Sequence, residues 1–130
     1  PPPPKREVIR PSESLCDSLI VAALITSGTS IERYRGLLKD VGKTLADRSE
    51  KSNKLLFFVG TLTGGDTMRA IAFKGRVTYA FERGGTPICG PDAEKLLKDL
   101  SDEVVDGIIY EVSWENIPLW REMIERELSF

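Results

Sequence analysis

The run KLLFFVGTLTGGDTMRAIAFKGRVTYAFE, residues 54–82, constrains this chain more than any other stretch. Two clusters of turn-forming residues break it into three segments rich in β-branched and aromatic side chains. Gly64-Gly65-Asp66 forms the first break, and Lys74-Gly75 the second. Glycine and aspartate accept the positive φ that hairpin turns need and β-branched residues resist. The stretch therefore predicts a three-stranded meander. Along the second strand Met68, Ala70 and Ala72 share one face, and Arg69, Ile71 and Phe73 the other. In the third, Val77, Tyr79 and Phe81 oppose Arg76, Thr78, Ala80 and Glu82, so one face reads as the drier. Leu55 to Val59 is apolar throughout, which predicts a strand covered on both faces.

Flanking segments read as helices laid on this meander. Ser12-Glu13-Ser14 predicts a helix start near Pro11 or Ser12, followed by an inner stripe of Leu15, Cys16, Leu19, Ile20, Ala23 and Leu24. Gly28 then reads as a left-handed cap. Ser30 predicts the start of a second helix, with Ile31, Tyr34, Leu37, Leu38, Val41 and Leu45 at helical spacing. Gly36 and Gly42 each weaken such a helix by roughly 1 kcal/mol relative to alanine, and mark close packing against another backbone. RGGTPICGP, residues 83–91, has the glycine and proline content of an irregular loop. Pro91, Asp92 and Glu94 suit a helix start with Ala93, Leu96, Leu97 and Leu100 inside. After Gly107, IIYEV predicts a fourth strand. Ser113 to Asn116 reads as a loop, and Pro118 as the opening of a last helix with Trp120, Met123, Ile124 and Leu128 inward.

The 130 residues fit one domain, with residues 1–11 an extended proline-rich lead-in and 12–130 the folded part. That lead-in reads as a linker or the tail of a longer region. The expected fold is α+β: a mostly antiparallel four-stranded sheet, the meander plus one strand, packed by two N-terminal and two C-terminal helices. A net charge of -2 points to neither a polyanion nor a membrane partner. Charge is uneven, however: residues 1–90 carry 14 basic and 9 acidic side chains, residues 91–130 carry 4 and 11. An acidic solvated face near the C-terminus accounts for this, as would docking of a basic partner or self-association. Two cysteines, Cys16 and Cys89, make no disulfide framework, and their spacing leaves a bridge open. No secretion signal is visible and the longest apolar run, Leu19 to Ile25, is too short for a bilayer, which predicts a cytoplasmic chain.

Chemistry-bearing patterns are sparse. The chain has no histidine, so a Ser-His or Cys-His nucleophile is impossible and the commonest metal ligand is missing. No metal-ligand spacing or cofactor motif is present, and the expectation is a protein that is not an enzyme, with no cofactor. Gly42-Lys43-Thr44 resembles the end of a Walker A loop, but Gly36 stands one residue too far upstream and the stretch reads as helix interior. Asp102 and Glu103 form an acidic pair without a visible cleft. The loop carrying Gly84, Gly85 and Pro87, together with Trp114 and Trp120, forms the candidate protein interface, because glycine admits close backbone approach and tryptophan anchors interfaces. The rival surface is basic. Arg35, Lys39 and Lys43 follow an i+4 row on the expected second helix, which could track phosphates.

GDTMRAIAFKGRVTYAFERGG, PDAEKLLKDL and DGIIYEVSW together resemble the small prokaryotic αβ modules of the PATAN type, over residues 54–114. Phe73, Gly75, Val77 and Ala80 stand at the matching positions. The resemblance implies a non-catalytic interaction module of regulatory systems, and roadblock-like αβ folds are its rival. The expected role is protein interaction or assembly with a protein partner of unknown identity. A homodimer through the apolar first helix or an open sheet edge is one form of it. The alternative is a nucleic-acid-associated factor.

Overall fold

A computed structural model describes residues 8–52, 54–113 and 118–128. The meander is present as β3 (Leu55–Leu62), β4 (Thr67–Phe73) and β5 (Arg76–Arg83). Both turns fall where the glycines stand. Lys74 (φ 50°) and Gly75 (φ 82°) are both left-handed, the backbone of a two-residue hairpin whose twist matches its strands. Registry pairs Phe57 with Ile71 and Ala70 with Tyr79, so the alternation read from the sequence holds. The expectation of one drier face on β5 does not. Every residue from Val77 to Phe81 is buried, because helices cover both sides.

Around this ribbon the sheet is larger than expected. Seven strands are described, ordered β1-β5-β4-β3-β7-β2, with β6 also on β5. Here β1 is Val8–Pro11, β2 is Gly28–Leu37, β6 is Thr86–Ile88 and β7 is Val104–Val112. The sheet is mixed, since β1 runs parallel to β5 while the other described pairs are antiparallel. The four-stranded, mostly antiparallel sheet is thus overturned, though the α+β class stands.

Each missed strand has a physical reason. Strand β1 is four residues long and ends in proline, which an edge position tolerates. Strand β6 is three residues long and follows a tight turn at Gly84 (φ 56°) and Gly85 (φ 81°), so the loop of residues 83–91 is partly a hairpin. Strand β2 replaces the expected second helix over its first residues, where Ile31, Tyr34 and Leu37 stand at helical spacing. Pairing with β7 wins instead, and the helical stripe begins only at Leu38.

Helices lie on both faces. On one, α2 (Leu38–Lys51) and α3 (Gly90–Asp99) bury Leu38, Val41, Leu45 and Ala93 against Phe58, Met68, Tyr79 and Ile109. On the other, a single 3-10 turn (Ser14–Cys16), α1 (Ser18–Ser27) and α4 (Pro118–Leu128) cover Phe57, Ile71, Ala80 and Val112. The expected helix from Pro11 or Ser12 is therefore split. Its α-helical part is capped by Asp17, whose carboxylate accepts from the Leu19 amide at 2.9 Å. Gly28 is extended (φ -93°) and is not a left-handed cap. Met123, Ile124 and Leu128 are buried as read, whereas the loop assigned to 113–116 lies outside the described residues beyond Ser113.

Two close approaches fix the layers. Gly60 pairs with Gly107 across β3 and β7, and a Cβ on Gly107 would stand 2.1 Å from the Val59 carbonyl oxygen. Gly42 lies under Ile9, whose Cδ1 would be 2.6 Å from an added Cβ; what packs on the glycine is this side chain and not the expected backbone. At the opposite end of the sheet from β2, Cys16 and Cys89 form a disulfide, a pairing that sequence spacing left open.

Candidate interaction surface

Helix α1 is apolar nearly all round: SLIVAALITS holds no charged residue. Such a helix is stable in water only when more than one side is covered. The sheet covers Val21 and Leu24, while Leu19 is 79% exposed and Ile25 39%. Leu19, assigned to the inner stripe by spacing, thus points outward. The rest of that stripe packs inward: Leu15 and Leu24 are fully buried, and Cys16 and Ile20 lie against the same core.

Directly after α1 the chain turns into β2 without a loop. β2 ends the strand order, so one of its edges is open among the described residues. Its register shifts between Ser30 and Glu32, and Ile31 in that bulge is 49% exposed. On β7 beside it, Ile108 is 38% exposed. Leu19, Ile25, Ile31 and Ile108 are the exposed large hydrophobic side chains of the described residues. Ile31 and Ile108 are on paired strands and Ile25 is in the last turn of α1, which runs into β2, whereas Leu19 is in the first turn of α1, three residues after Cys16. Single apolar residues are ordinary on a surface, whereas an open strand edge beside one is a ready template for pairing.

Charged pairs frame this end. Arg33 grips Asp106 through two bonds, Nε to Oδ1 at 3.0 Å and Nη2 to Oδ2 at 2.6 Å. The hydrogen bond from Arg33, with its charge, holds the Asp106 carboxyl below the ordinary aspartate value. Glu32 pairs with Arg48 of α2, and Lys54 with Glu111 at 2.7 Å. These pairs are exposed and screened by solvent, so each contributes little to stability.

The residues singled out from the sequence are not brought together. Gly84, Gly85 and Pro87 lie exposed in the β5–β6 hairpin. The preceding Arg83 is fastened to Asp66 by bonds of 2.7 and 3.0 Å, which ties this hairpin to the β3–β4 turn. Trp114 lies outside the described residues. Trp120 falls in α4, with its side chain likewise outside them. The basic row is divided. Arg35 is in β2, while Lys39 and Lys43 are in α2, so the three are not one helical stripe. Lys39 is engaged by Asp102 at 3.4 Å. Gly42-Lys43-Thr44 is helix interior, and the Thr44 hydroxyl donates to the Asp40 carbonyl at 3.0 Å. Glu103 does not stand with Asp102 as a reactive pair. Its Oε1 accepts from the Gly64 amide at 2.9 Å.

Among the described residues no group of three His, Cys, Asp or Glu side chains could hold a metal ion, and no helix is long and apolar enough to cross a membrane. No protein-family model, no curated protein and no solved structure matches the chain.

Proposed function

We propose that this chain is a non-enzymatic protein-interaction and assembly module, and that it associates with a second copy of itself through α1 and the open edge of β2. The carrying observation is the open edge of β2, with Ile31 exposed in its bulge and Ile25 exposed in the last turn of α1, which runs directly into that strand. An open strand edge can pair with its own copy about a two-fold axis, which extends the sheet across both subunits. Helix α1, continuous with β2, then meets its counterpart and loses its exposed apolar side. The PATAN-type resemblance supports the same reading, because it implies a regulatory interaction module without catalysis. The nucleic-acid alternative has lost its contiguous row, since Arg35 and Lys39 lie on different elements. A cytoplasmic location remains part of the proposal with one condition: in a reducing compartment Cys16 and Cys89 would be thiols.

Light scattering across a hundredfold concentration range tests this. The expected result is twice the chain mass for the wild type, and the chain mass for Ile25→Glu/Ile31→Lys with an unchanged circular dichroism spectrum. A wild type that stays at the chain mass throughout would refute self-association. A gel-shift titration at two salt concentrations examines the alternative. Binding that weakens steeply with salt and disappears on charge reversal at Arg35, Lys39 and Lys43 would favour nucleic acid instead.

A further inference from the structure

Two short strands share one edge of β5. Strand β4 occupies the other edge from Arg76 to Glu82, so β1 and β6 lie end to end on the remaining one. β1 opposes Arg76 to Tyr79 and β6 opposes Phe81 to Arg83, which leaves a gap at Ala80. At that gap the chain leaves the sheet twice. After β1 it enters the 3-10 turn, on the face covered by α1 and α4; after β6 it enters α3, on the other face. The Cys16–Cys89 bridge joins these two exits across the sheet edge.

The two exits are held unequally. On the Cys16 side Leu15 is fully buried. The turn there is tied by the Ser12 amide on the Tyr79 carbonyl at 2.6 Å, Arg69 Nη1 on the Leu15 carbonyl at 3.0 Å and the Ser14 amide on Glu127 Oε1 at 2.8 Å. On the Cys89 side β6 pairs through three residues, two of them exposed. Within α3 Ala93 alone is buried. Ile88, Leu96, Leu97 and Leu100 are partly buried against the cluster that holds Val77, Tyr79 and Phe81. Before this arm stands the turn at Gly84 and Gly85, with open space around both glycines, which gives the arm a hinge. Beyond α3 the chain is held again, by the Leu38 amide on the Glu103 carbonyl at 2.9 Å and the Lys39 amide on the Ser101 carbonyl at 3.1 Å. Segments with few buried apolar contacts open at lower free energy than the core around them.

We propose that the disulfide is a redox latch on the arm formed by residues 84–100. Oxidised, it clamps the arm to the firmly held 3-10 turn. Reduced, the arm opens from β5 far more readily while the rest of the sheet stays folded, and the apolar side of Val77, Tyr79 and Phe81 becomes accessible. Both cysteines are half-buried, within reach of a dithiol reductant. A thiolate of the reductant bonds to one sulfur and the S–S bond breaks, its electron pair leaving on the other cysteine, which takes up a proton. The second thiolate of the reductant then displaces the first cysteine, which is protonated in turn. The reductant ends as a disulfide, and Cys16 and Cys89 as thiols. The latch does not rest on the assembly reading above, since it lies at the end of the sheet away from β2.

Hydrogen exchange of the full chain, oxidised and after dithiothreitol, tests this when read by mass spectrometry below the thermal transition of the reduced form. Amides of residues 86–100 should exchange about tenfold faster in the reduced chain, while those of residues 12–16 and of β3 change by less than about twofold. Re-oxidation should restore the slow exchange of the arm. Cys16→Ser/Cys89→Ser should behave as the reduced chain does and ignore dithiothreitol. Equal exchange in the two forms, acceleration at residues 12–16 with the arm unchanged, or acceleration spread evenly over the sheet would each overturn the proposal.

Discussion

The guanidinium of Arg69, buried on β4, donates a hydrogen bond of 3.0 Å to the backbone carbonyl oxygen of Leu15. The same guanidinium pairs with Glu82 of β5. Its burial pushes the group below the ordinary arginine value, with desolvation the cause. A cation so placed is tolerated because both of its partners are aimed at it. The contact fastens the 3-10 turn to the sheet, as does the nearby Ser12 amide on the Tyr79 carbonyl at 2.6 Å, while the Ser14 amide on Glu127 Oε1 at 2.8 Å ties that turn to α4.

Arg69→Ala should therefore destabilise the chain by about 3 kcal/mol, because it leaves the Leu15 carbonyl and the Glu82 carboxylate without their donor. Arg69→Met/Glu82→Gln should recover part of that loss by removing the uncompensated charge. Urea midpoints with unchanged slopes would measure both effects. A single variant as stable as the wild type would show that the contact holds nothing in place.

The Cys16–Cys89 bridge spans 73 residues of sequence and joins the layer of the 3-10 turn to the approach of α3. Closing a loop of that length restricts the unfolded chain by about 4 kcal/mol in the chain-entropy account. Cys16→Ser/Cys89→Ser, or treatment with a reductant, should lower Tm by roughly 8–15 °C for a domain of this size. Scanning calorimetry with and without reductant checks this, and the double variant should be indifferent to reductant. Equal transitions in all four samples would mean the thiols are not joined in solution.

Legibility followed the strength of local signals. The meander was legible because Lys74-Gly75 and Gly64-Gly65-Asp66 combine turn chemistry with alternating strands on either side. Strand β2 was not, because an edge strand with one bulge carries little alternation, and Ile31, Tyr34 and Leu37 imitate a helical stripe. Strand β1 depends on a parallel partner some seventy residues away, which local sequence does not announce. The candidate surface was visible in part: the run LIVAALI marks a helix apolar on all sides. Its outward Leu19 was hidden because an apolar side chain in such a run carries no mark of which way it faces, while Cys16, Ile20 and Leu24 keep the i+4 spacing inward. The basic row failed because strand gives way to helix at Leu37, between Arg35 and Lys39.

Acid stability should depend on Asp66. The hydrogen bond from Arg83, assisted by its charge, holds this carboxyl below the ordinary aspartate value. The folded group thus takes up its proton at lower pH than the unfolded one. Its contribution is complete above the ordinary carboxylate range and is lost as pH falls through the folded value. Carboxyl-detected NMR titration should place the Asp66 midpoint below that of a model peptide, and Arg83→Gln should raise it. Asp66→Asn should flatten the acid limb of the stability profile. A wild-type midpoint at the model-peptide value would refute the pairing.

At the alkaline end the controlling group is Tyr79. It is 1% exposed on β5, on the face covered by α2 and α3, and burial pushes its phenol up to about 12, with the nearby charge of Glu94 adding to the shift. The unfolded phenol loses its proton near 10. Between these values the unfolded chain has released a proton that the folded chain still holds, so rising pH favours unfolding. The stabilisation is complete below the unfolded value and disappears as pH climbs through the folded one. Tyr79→Phe removes the proton altogether. Denaturation midpoints of the wild type should fall more steeply than those of Tyr79→Phe across that window, and tyrosinate absorbance assigned by difference to Tyr79 should appear only near its upper limit or with unfolding. Parallel midpoint curves for the two proteins would show that this phenol reaches solvent in the folded state.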